Sequence, residues 1–561
     1  MDQRSKIAVV GYGIEGKAML AYLVKHQYSN VTVCDQKVYI GEKMPKGVSV
    51  RLGEHYLEGI NEFDVIFRSP GVNHDNPYLV EARLEGKEVT SPIQYFLDHC
   101  PCTVVGVTGT KGKGTTSTLI YEILKEWFGK MSSAKLGSAL TEADSTKVTG
   151  KAGIKKFAKS AAMYKKNIAI TRAKGGELKK FAKRHVYLGG NIGNSPIEFL
   201  DKLKGGDVKN GDVVVLELSC FQLGDLKKSP HIAVLLNTTS DHLDYYPDRD
   251  AYLQAKELIL AHQDEDDLAV LNKDYEYSKY YAPLVKGRLV YVSPKGEKLD
   301  KGVYVKGLNV FDAEPEIVYV KSLEEENKEV VMKVKDVALI GSHNLENVCP
   351  AVAVAKEFGV PSSVIAKVVK RFKGLPHRLE FVRKIDGVSY YNDSFSTNPH
   401  TSMAAVDSFN VPTILIAGGS DKGLSYKEWA RKILTKESLQ VVLLIGATAE
   451  KMNDALVCVR KKLKAHEITP TLVLMCGDLK NALATARRTI VDSGVNYRGS
   501  FTPEVGVGKG VESKIPKIEK KNTTFASLGA VVVMSPAAAS FDQFKDYKER
   551  GQKFREIVLG L

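Results

Sequence analysis

The sequence predicts an α/β protein of three domains, each built on a doubly wound sheet of mostly parallel strands. The chain has 561 residues, which exceeds the size at which a single hydrophobic core stops growing. Short apolar runs alternate with helical patterns along most of its length, as is typical of such sheets. Two glycine-rich turns, at 11–16 and 109–114, each follow an apolar run directly, which is typical of nucleotide-binding proteins.

The first domain is predicted to span residues 1–100 and to open with a nucleotide-binding βαβ unit. A strand pattern at 6–12 runs into the turn Gly11-Tyr12-Gly13-Ile14-Glu15-Gly16, and a helical stretch follows it. A second strand pattern at 31–34 ends at Asp35. The G-x-G-x-x-G spacing predicts a Rossmann-like domain that holds a pyrophosphate at the helix N-terminus. It does not specify which nucleotide is bound.

The second domain is predicted at 101–340 and begins with a phosphate-binding loop at 104–118, which reads VVGVTGTKGKGTTST. Gly109 and Gly112 permit backbone conformations in which successive N–H groups face one anion. Lys113 adds a full positive charge, and the N-terminus of the following helix adds a partial one. We therefore expect a P-loop ATPase-type domain. An ordinary strand–turn–helix corner is the less favoured alternative.

Polar side chains of this domain predict a metal–phosphate site. Glu217 lies near the end of one apolar strand and His242 lies just beyond the next, so both are expected at the sheet edge that carries the loop. A solvated Glu217, a His242 that caps a helix and a surface Lys256 are the alternatives when each residue is taken alone. Gly114 stands where a hydroxyl usually meets Mg²⁺, so we assign that role to Thr115.

The third domain is predicted at 341–561 and has a second Rossmann-like pattern. Four apolar strands alternate with four helices, at 413–417, 426–434, 441–445, 449–463, 472–475, 479–491, 530–534 and 540–559. This alternation again favours a doubly wound sheet.

The net charge of +14 is concentrated in two segments. Residues 131–187 carry fourteen Lys or Arg against three acids, and residues 496–521 carry six against three. The rest of the chain is balanced, so the basicity says little about the main site. For residues 131–184 we expect a solvated, mobile excursion; a basic arm that contacts nucleic acid or an acidic membrane surface is the disfavoured alternative.

The cysteine pattern and the hydropathy predict a reduced, cytoplasmic protein. Seven cysteines are scattered without metal-ligand spacing. No apolar run approaches a membrane span, and the first ten residues lack a signal-peptide core.

Seven sequence runs occur together in one order, and on them the chain resembles the Mur ligase family. They are LELSCFQL (216–223), NTTSDHLDYY (237–246), YLQAK (252–256), GSHNLEN (341–347), KGLPHRLE (373–380), YYNDSFSTN (390–398) and SPAAASFDQFKDYKERG (535–551). The resemblance covers the whole chain except 131–184 and 496–522, which we interpret as insertions.

The resemblance implies an ATP-dependent amide ligase of peptidoglycan precursor synthesis, a part of cell-wall biogenesis. ATP would phosphorylate the carboxylate of UDP-N-acetylmuramoyl-L-alanine, and the amine of D-glutamate would attack the acyl phosphate, leaving ADP and phosphate. The first domain would bind the UDP precursor and the second would bind ATP. The third domain would close on ATP and the amino acid. Two Mg²⁺ ions would offset the gathered negative charge.

The resemblance also implies the roles of individual residues. Those implied to bind ATP are Gly109, Thr110, Lys111, Gly112, Lys113, Gly114, Thr115, Asn344, Arg378 and Asp393. Those implied to bind the UDP substrate are Gly11, Gly13, Gly16, Asp35, Gln36, Lys37, Ser69, Gly71, Asn191 and Gln222. Those implied to bind the amino acid are Ser540 and Tyr547. The implied catalytic residues are Lys113, Glu217, His242 and Lys256, and the implied metal ligands are Thr115, Glu217, His242 and Lys256 as a carbamate.

One departure from the family pattern concerns the amino acid. Phe395 stands where many members have a lysine that binds the amino-acid substrate. The sequence therefore leaves open D-glutamate, L-glutamate or another amino acid. Two further alternatives remain: a folylpolyglutamate-type ligase, which the first glycine turn disfavours, and a catalytically silent nucleotide-binding protein.

Overall fold

The structure is a computed structural model that describes residues 2–41, 43–132, 184–205, 211–238, 248–308, 314–322, 328–492 and 529–561. His242 and nearly all of the two predicted insertions lie outside the described residues. The chain forms two compact units. The first comprises Met1–Ala338 and His343–Phe372, and the second comprises Leu339–Ser342 and Lys373–Leu561.

The first unit begins with a parallel five-stranded sheet in the order β3-β2-β1-β4-β5, which is the order of Rossmann-type folds. Its strands are β1 (Ile7–Val10), β2 (Val31–Asp35), β3 (Val48–Leu52), β4 (Val65–Arg68) and β5 (Glu88–Thr90). Its helices are α1 (Ile14–Lys25), α2 (Pro77–Leu84) and α3 (Pro92–His99). All four residues of β1 are buried, as the apolar pattern predicts for a central strand.

The same unit contains a nine-stranded sheet in the order β14-β13-β12-β11-β10-β9-β6-β8-β7. Its strands are β6 (Thr103–Thr108), β7 (Val186–Gly190), β8 (Val213–Glu217), β9 (Ile232–Leu235), β10 (Leu268–Asn272), β11 (Arg288–Ser293), β12 (Gly302–Lys306), β13 (Glu316–Val320) and β14 (Lys328–Lys333). The strands from β12 to β7 are parallel, and β13 and β14 are antiparallel additions. The strand order reverses around β6, where an open α/β sheet binds its ligands.

Seven helices of the described part surround this sheet. They are α4 (Lys113–Ser132), α5 (Ile197–Lys204), α6 (Cys220–Leu223), α7 (Arg249–Ala261), α8 (Tyr277–Tyr281), α9 (Leu345–Glu357) and α10 (Ser362–Arg371).

Helices α9 and α10 group with the first unit, although the sequence predicts a third domain from residue 341. Helix α9 is apolar on nearly all sides and is buried. The Phe358 ring that follows it lies edge-on to Phe128 of α4, with the ring centroids 6.4 Å apart. Glu126 of α4 pairs with Lys367 at 3.0 Å and with Arg371 at 2.9 Å. The predicted domain limits stay predictions.

The second unit is built on a six-stranded sheet in the order β15-β16-β20-β17-β18-β19, parallel except for β15. Its strands are β15 (Glu380–Ile385), β16 (Val388–Asn392), β17 (Thr413–Gly418), β18 (Leu439–Ile445), β19 (Leu472–Gly477) and β20 (Val531–Met534). Its helices are α11 (Pro399–Asp407), α12 (Lys427–Thr435), α13 (Ala449–Arg460), α14 (Leu479–Asp492) and α15 (Tyr547–Gly560).

The predicted α/β class is confirmed, but the start of the last helix was predicted wrongly. A helix was expected from residue 540, whereas α15 begins at Tyr547. The Asp546 side chain ends the preceding loop because its Oδ1 accepts the N–H of Glu549 at 2.8 Å and so caps the helix.

Candidate active site

The phosphate loop joins β6 to α4 in a conformation that requires glycine. Gly109 and Gly112 have φ angles of +146° and +85°. A Cβ on Gly109 would lie 2.7 Å from Leu236 Cβ, and one on Gly112 would collide with Asn347 Oδ1. Lys113 Nζ donates to the carbonyl oxygens of Gly109 at 2.8 Å and Thr110 at 3.0 Å. The lysine is thus held over the loop, where it would meet a bound phosphate.

Hydroxyl groups lie at the start of α4, immediately behind the loop. Thr115 and Thr116 are both buried. The Oγ1 of Thr116 donates to Asn347 Oδ1 at 3.2 Å. In turn, Asn347 Nδ2 donates to Asn344 Oδ1 at 2.8 Å. This chain of hydrogen bonds brings the predicted ATP ligand Asn344 close to the phosphate loop.

A cationic residue of the loop also lies near α9. Lys111 is exposed, and it faces His343, which precedes Asn344. Burial, followed by the charge of Lys111, lowers the pKa of the His343 imidazole, so this histidine is neutral near pH 7.

Glu217 is the last residue of β8 and lies beside the phosphate loop. Its Cα is in register with Val107 of β6, one residue before the end of that strand. The carboxylate is only 4% exposed, and Oε1 accepts a hydrogen bond from Asn191 Nδ2 at 3.1 Å. The alternative of a solvated Glu217 is therefore wrong.

Oxygen ligands at this edge fit a magnesium ion. A carboxylate (Glu217) and a hydroxyl (Thr115) follow the neighbouring strands β8 and β6, and Mg²⁺ favours one or two such protein oxygens together with substrate phosphates. Within the described ranges, no cluster of three or more His, Cys, Asp or Glu side chains could hold a metal. His242, the other predicted ligand, lies outside those ranges.

Lys256 is buried rather than exposed at the surface. It lies on α7, is 1% exposed, and its Nζ is 4.4 Å from the centroid of the Tyr252 ring. The Tyr252 hydroxyl is 3.0 Å from Thr110 Oγ1 in the phosphate loop. The interpretation of Lys256 as a snorkelling surface lysine is wrong, and its side chain lies near the loop.

A cavity of about 390 Å³ lies over the first glycine turn. Its size is that of a small-molecule site. Seven of the ten predicted UDP-substrate residues line it, namely Gly11, Gly13, Asp35, Gln36, Ser69, Gly71 and Asn191. The structure thus brings together residues that are far apart in the sequence.

The other three predicted residues support the wall of this cavity. A Cβ on Gly16 would collide with the carbonyl oxygen of Gly11, so only glycine fits there. The N–H of Lys37 donates to Asp35 Oδ1 at 2.9 Å. Gln222 is buried, and its Nε2 donates to Glu15 Oε1.

The two remaining predicted ATP residues, Arg378 and Asp393, belong to the second unit. Asp393 follows β16 and accepts hydrogen bonds from Ser396 Oγ at 2.5 Å and Ser535 Oγ at 2.7 Å. Burial raises the pKa of its carboxyl to about 6. The Arg378 guanidinium stacks on the Phe395 ring, 3.8 Å from the centroid. These two residues therefore lie on adjoining loops of one sheet edge.

The second unit has a smaller cavity of about 200 Å³. It contains both predicted amino-acid ligands, Ser540 and Tyr547. Phe395 lines it too, with its ring perpendicular to that of Tyr547 and the centroids 5.1 Å apart. Lys422 is the cationic lining residue.

Sequence reasoning gave no role to Asn347, Lys422 and Arg550. Asn347 lies one helical turn after Asn344, so its spacing could have suggested a shared face. Lys422 follows β17 in a glycine-rich turn, and that position beyond a parallel strand could have indicated a ligand site. Arg550 carries no such signal, since a charged residue of a terminal helix is usually exposed.

All seven cysteines are free. Among the described residues, no helix is long and apolar enough to cross a bilayer.

Family models match two parts of the chain. Residues 5–91 match the N-terminal domain of MurD-like Mur ligases, and residues 107–355 match the Mur ligase middle domain. The two matched regions contain the first glycine turn and most of the phosphate loop.

Relatives and one solved structure extend the match over the full length. UDP-N-acetylmuramoylalanine–D-glutamate ligases from Acetivibrio thermocellus and Clostridium tetani are each 32% identical to this chain. The alignments cover 100% and 99% of this chain, respectively, and 97% of the length of each relative. The fold is similar to that of UDP-N-acetylmuramate-alanine ligase MurC from Thermotoga maritima (TM-score 0.50, 17% identity, 99% of this chain and 100% of that one). The chain therefore belongs to the Mur ligase family.

Proposed function

We propose that this chain joins D-glutamate to UDP-N-acetylmuramoyl-L-alanine at the expense of ATP, releasing ADP and phosphate. One observation carries the proposal: Asn191 lines the cavity over the first glycine turn, and its amide also donates to Glu217 beside the phosphate loop. A substrate held in the first cavity would therefore extend toward the phosphates of ATP. The names of the full-length relatives support the choice of substrates.

The first step activates a carboxylate, which by itself is a poor acyl donor. The loop N–H groups and Lys113 would hold the γ-phosphate while an oxygen of the alanine carboxylate attacks it. The P–O bond to ADP breaks and an acyl phosphate forms. Two bound Mg²⁺ ions, held by Thr115, Glu217, His242 and a carbamylated Lys256, would neutralise the phosphate charge.

The second step forms the amide bond. The glutamate amine attacks the acyl carbon, and phosphate leaves with the former carboxylate oxygen. A carboxylate of glutamate would accept hydrogen bonds from Ser540 and Tyr547 in the second-unit cavity, and Lys422 would offset its charge. The free cysteines suit a reducing compartment, and we assign the reaction to the cytoplasm.

A second candidate is a related ligase that adds a different amino acid. Phe395 favours it, because this side chain supplies an aromatic wall to the cavity where a lysine would supply charge.

Phosphate release tests both candidates. It should require ATP, UDP-N-acetylmuramoyl-L-alanine and D-glutamate together, and it should fall more than about a thousandfold in Lys113→Met. Lys125→Met, an exposed lysine of the same helix, is the matched control. Faster release with L-glutamate or another amino acid would support the second candidate. No release with any amino acid would indicate a catalytically silent nucleotide-binding protein.

A further inference from the structure

Glu15 is an acidic residue in a turn built to hold an anion. It lies in the first turn of α1, between Gly13 and Gly16, and lines the cavity over that turn. The side chain is 9% exposed. A carboxylate at this position would repel a diphosphate bound at the same helix N-terminus. The protonation state of Glu15 therefore matters for ligand binding.

Hydrogen bonds determine which oxygen of Glu15 can carry a proton. The carbonyl oxygen of the Gln222 side chain accepts the N–H of Ser219 at 2.9 Å, which orients its amide nitrogen toward Glu15. That nitrogen donates to Glu15 Oε1, so Oε1 acts as an acceptor. Oε2 is buried and has no hydrogen-bond partner among the described residues. A proton on Glu15 would thus lie on Oε2, whereas an ionised Glu15 would leave a charged oxygen buried without a partner among the described residues.

Nearby charges do not stabilise the ionised form enough to overcome burial. Arg68 is close, but its guanidinium is already paired with Asp225, with Nε 2.9 Å from Oδ2. Asp35 lines the same cavity. Lys17 lies further along α1, and its Nζ is 5.1 Å from the centroid of the Tyr12 ring. Burial raises the pKa of the Glu15 carboxyl to about 7, with Asp225 adding to the rise and Gln222 and Arg68 opposing it.

We propose that Glu15 is a neutral acid, with its proton on the buried Oε2, when the diphosphate-bearing substrate occupies the cavity over the first glycine turn. The inference rests on the proposed function, because it takes the UDP substrate as the occupant of the cavity. A Cβ added to Gly13 would have no neighbouring atom within 4 Å, so the turn has room for a ligand above it. Added negative charge favours protonation further, so binding is coupled to proton uptake.

Calorimetric titration of the full chain with UDP-N-acetylmuramoyl-L-alanine tests the coupling. Neither the diphosphate diester nor the alanine carboxylate of this ligand titrates near neutral pH, so any proton taken up enters the protein. Titrations in buffers of different ionisation enthalpy should give an uptake that rises from pH 6 to pH 8 toward about one proton. The Kd should rise by up to about tenfold per pH unit above 7.

Glu15→Gln supplies the matched variant, because glutamine is neutral at every pH and keeps a donor group. Its Kd should be independent of pH, with no proton uptake. Glu198→Gln, in the first turn of α5, is the control and should behave as the parent. Tight binding by the parent without proton uptake, or equal uptake by Glu15→Gln, would overturn the inference and leave the proposed function intact. Absence of binding by the parent would overturn both.

Discussion

The two cavities described above, one in each unit, are lined by different kinds of residue. Five of the fifteen residues that line the cavity of the first unit are glycines: Gly11, Gly13, Gly71, Gly190 and Gly193. The residues that line the cavity of the second unit include no glycine; they are Phe395, Thr397, Lys422, Ala539, Ser540, Phe541, Asp546 and Tyr547. A cavity lined by glycines can be recognised in the sequence from the spacing of those glycines. A cavity lined by other residues has no regular spacing that would indicate it. The glycine spacing by itself therefore indicated the first site, whereas the second was indicated only through the family resemblance, by Ser540 and Tyr547.

A buried arginine supports each cavity, but with different partners. Arg68 donates to the carbonyl oxygens of Ser69 and Val72, which line the first cavity, and pairs with Asp225. Arg550 donates to the carbonyl oxygen of Ala539, at 2.9 Å, which lines the second.

Arg550 has no carboxylate partner within hydrogen-bonding distance among the described residues. It donates instead to Ser394 Oγ at 3.0 Å and to the carbonyl oxygens of Ser394 and Ala538. Burial lowers the pKa of its guanidinium to about 10. Arg68, behind the first cavity, is thus held by an ion pair, whereas Arg550, behind the second, is held by neutral hydrogen-bond acceptors.

The largest expected effect on ligand binding comes from adding one methyl group at Gly16, behind the wall of the first cavity. Gly16→Ala should weaken binding of the UDP substrate by about a hundredfold or more and lower the Tm, because its Cβ would overlap the Gly11 carbonyl oxygen. Gly13→Ala has open space at its Cβ and should keep the parent Tm. Calorimetric binding and thermal unfolding measure both effects. Equal losses of Tm in the two variants would contradict a wall made by close backbone contact.

The next effect separates the two arginines. Arg68→Met leaves the buried Asp225 carboxylate without its main partner and should lower the free energy of unfolding by about 3–5 kcal/mol. Arg550→Met leaves only neutral acceptors unpaired and should cost about 2 kcal/mol.

The chain has two tryptophans, one in each unit, so unfolding of each unit can be followed separately. Trp127 in α4 reports on the first unit and Trp429 in α12 on the second, in backgrounds where the other is replaced by Phe. A larger loss for Arg550→Met than for Arg68→Met would reverse the proposed difference.

Replacing a buried carboxyl by the corresponding amide should change the free energy of unfolding in opposite directions in the two units, where Glu15 and Asp393 are the carboxyls concerned. The pKa of Glu15 is raised to about 7, so the folded state holds its proton more tightly than the unfolded state does. The stability that this proton confers is lost as pH rises from about 4.5 to 7. Glu15→Gln should therefore be more stable than the parent by about 1–3 kcal/mol at pH 8, and about equal to it near pH 4.5.

Asp393→Asn should instead be less stable than its parent at pH 8. Burial raises the pKa of Asp393 to about 6, yet its two oxygens accept three hydrogen bonds from Leu379, Ser396 and Ser535. An amide nitrogen would face donors where an oxygen accepted them. Urea unfolding at both pH values compares the pair. If Glu15→Gln and Asp393→Asn were both more stable than the parent, the number of hydrogen bonds that a buried carboxyl accepts would not decide the effect of the amide.

The smallest effect concerns amino-acid selectivity. Phe395→Lys adds a second cation to a cavity that already contains Lys422, so the KM for D-glutamate should fall by up to about tenfold with little change in kcat. Val457→Lys is the control, because Val457 is an exposed apolar residue of α13 that does not line the cavity. An unchanged KM and unchanged selectivity between D- and L-glutamate would remove Phe395 from the determinants of specificity.

The fold and the phosphate loop could be predicted because they depend on local patterns. The buried strands β6 and β8 placed Gly109 and Glu217 at one sheet edge from the sequence alone. Glu15 could not be interpreted in this way, since the G-x-G-x-x-G pattern accepts any residue there and its burial depends on Gln222, about 200 residues away. The packing of α9 on α4 likewise depends on tertiary contacts, which the hydrophobic periodicity of either segment does not indicate.

Oxygen-isotope transfer tests the central claim, that ATP activates the alanine carboxylate of a substrate held in the cavity over the first glycine turn. UDP-N-acetylmuramoyl-L-alanine labelled with oxygen-18 in its alanine carboxylate would be turned over with ATP and D-glutamate, and the released phosphate analysed by mass spectrometry. The account predicts one labelled oxygen in each phosphate, because the acyl phosphate transfers it. Unlabelled phosphate, with the displaced carboxylate oxygen released as labelled water, would contradict it.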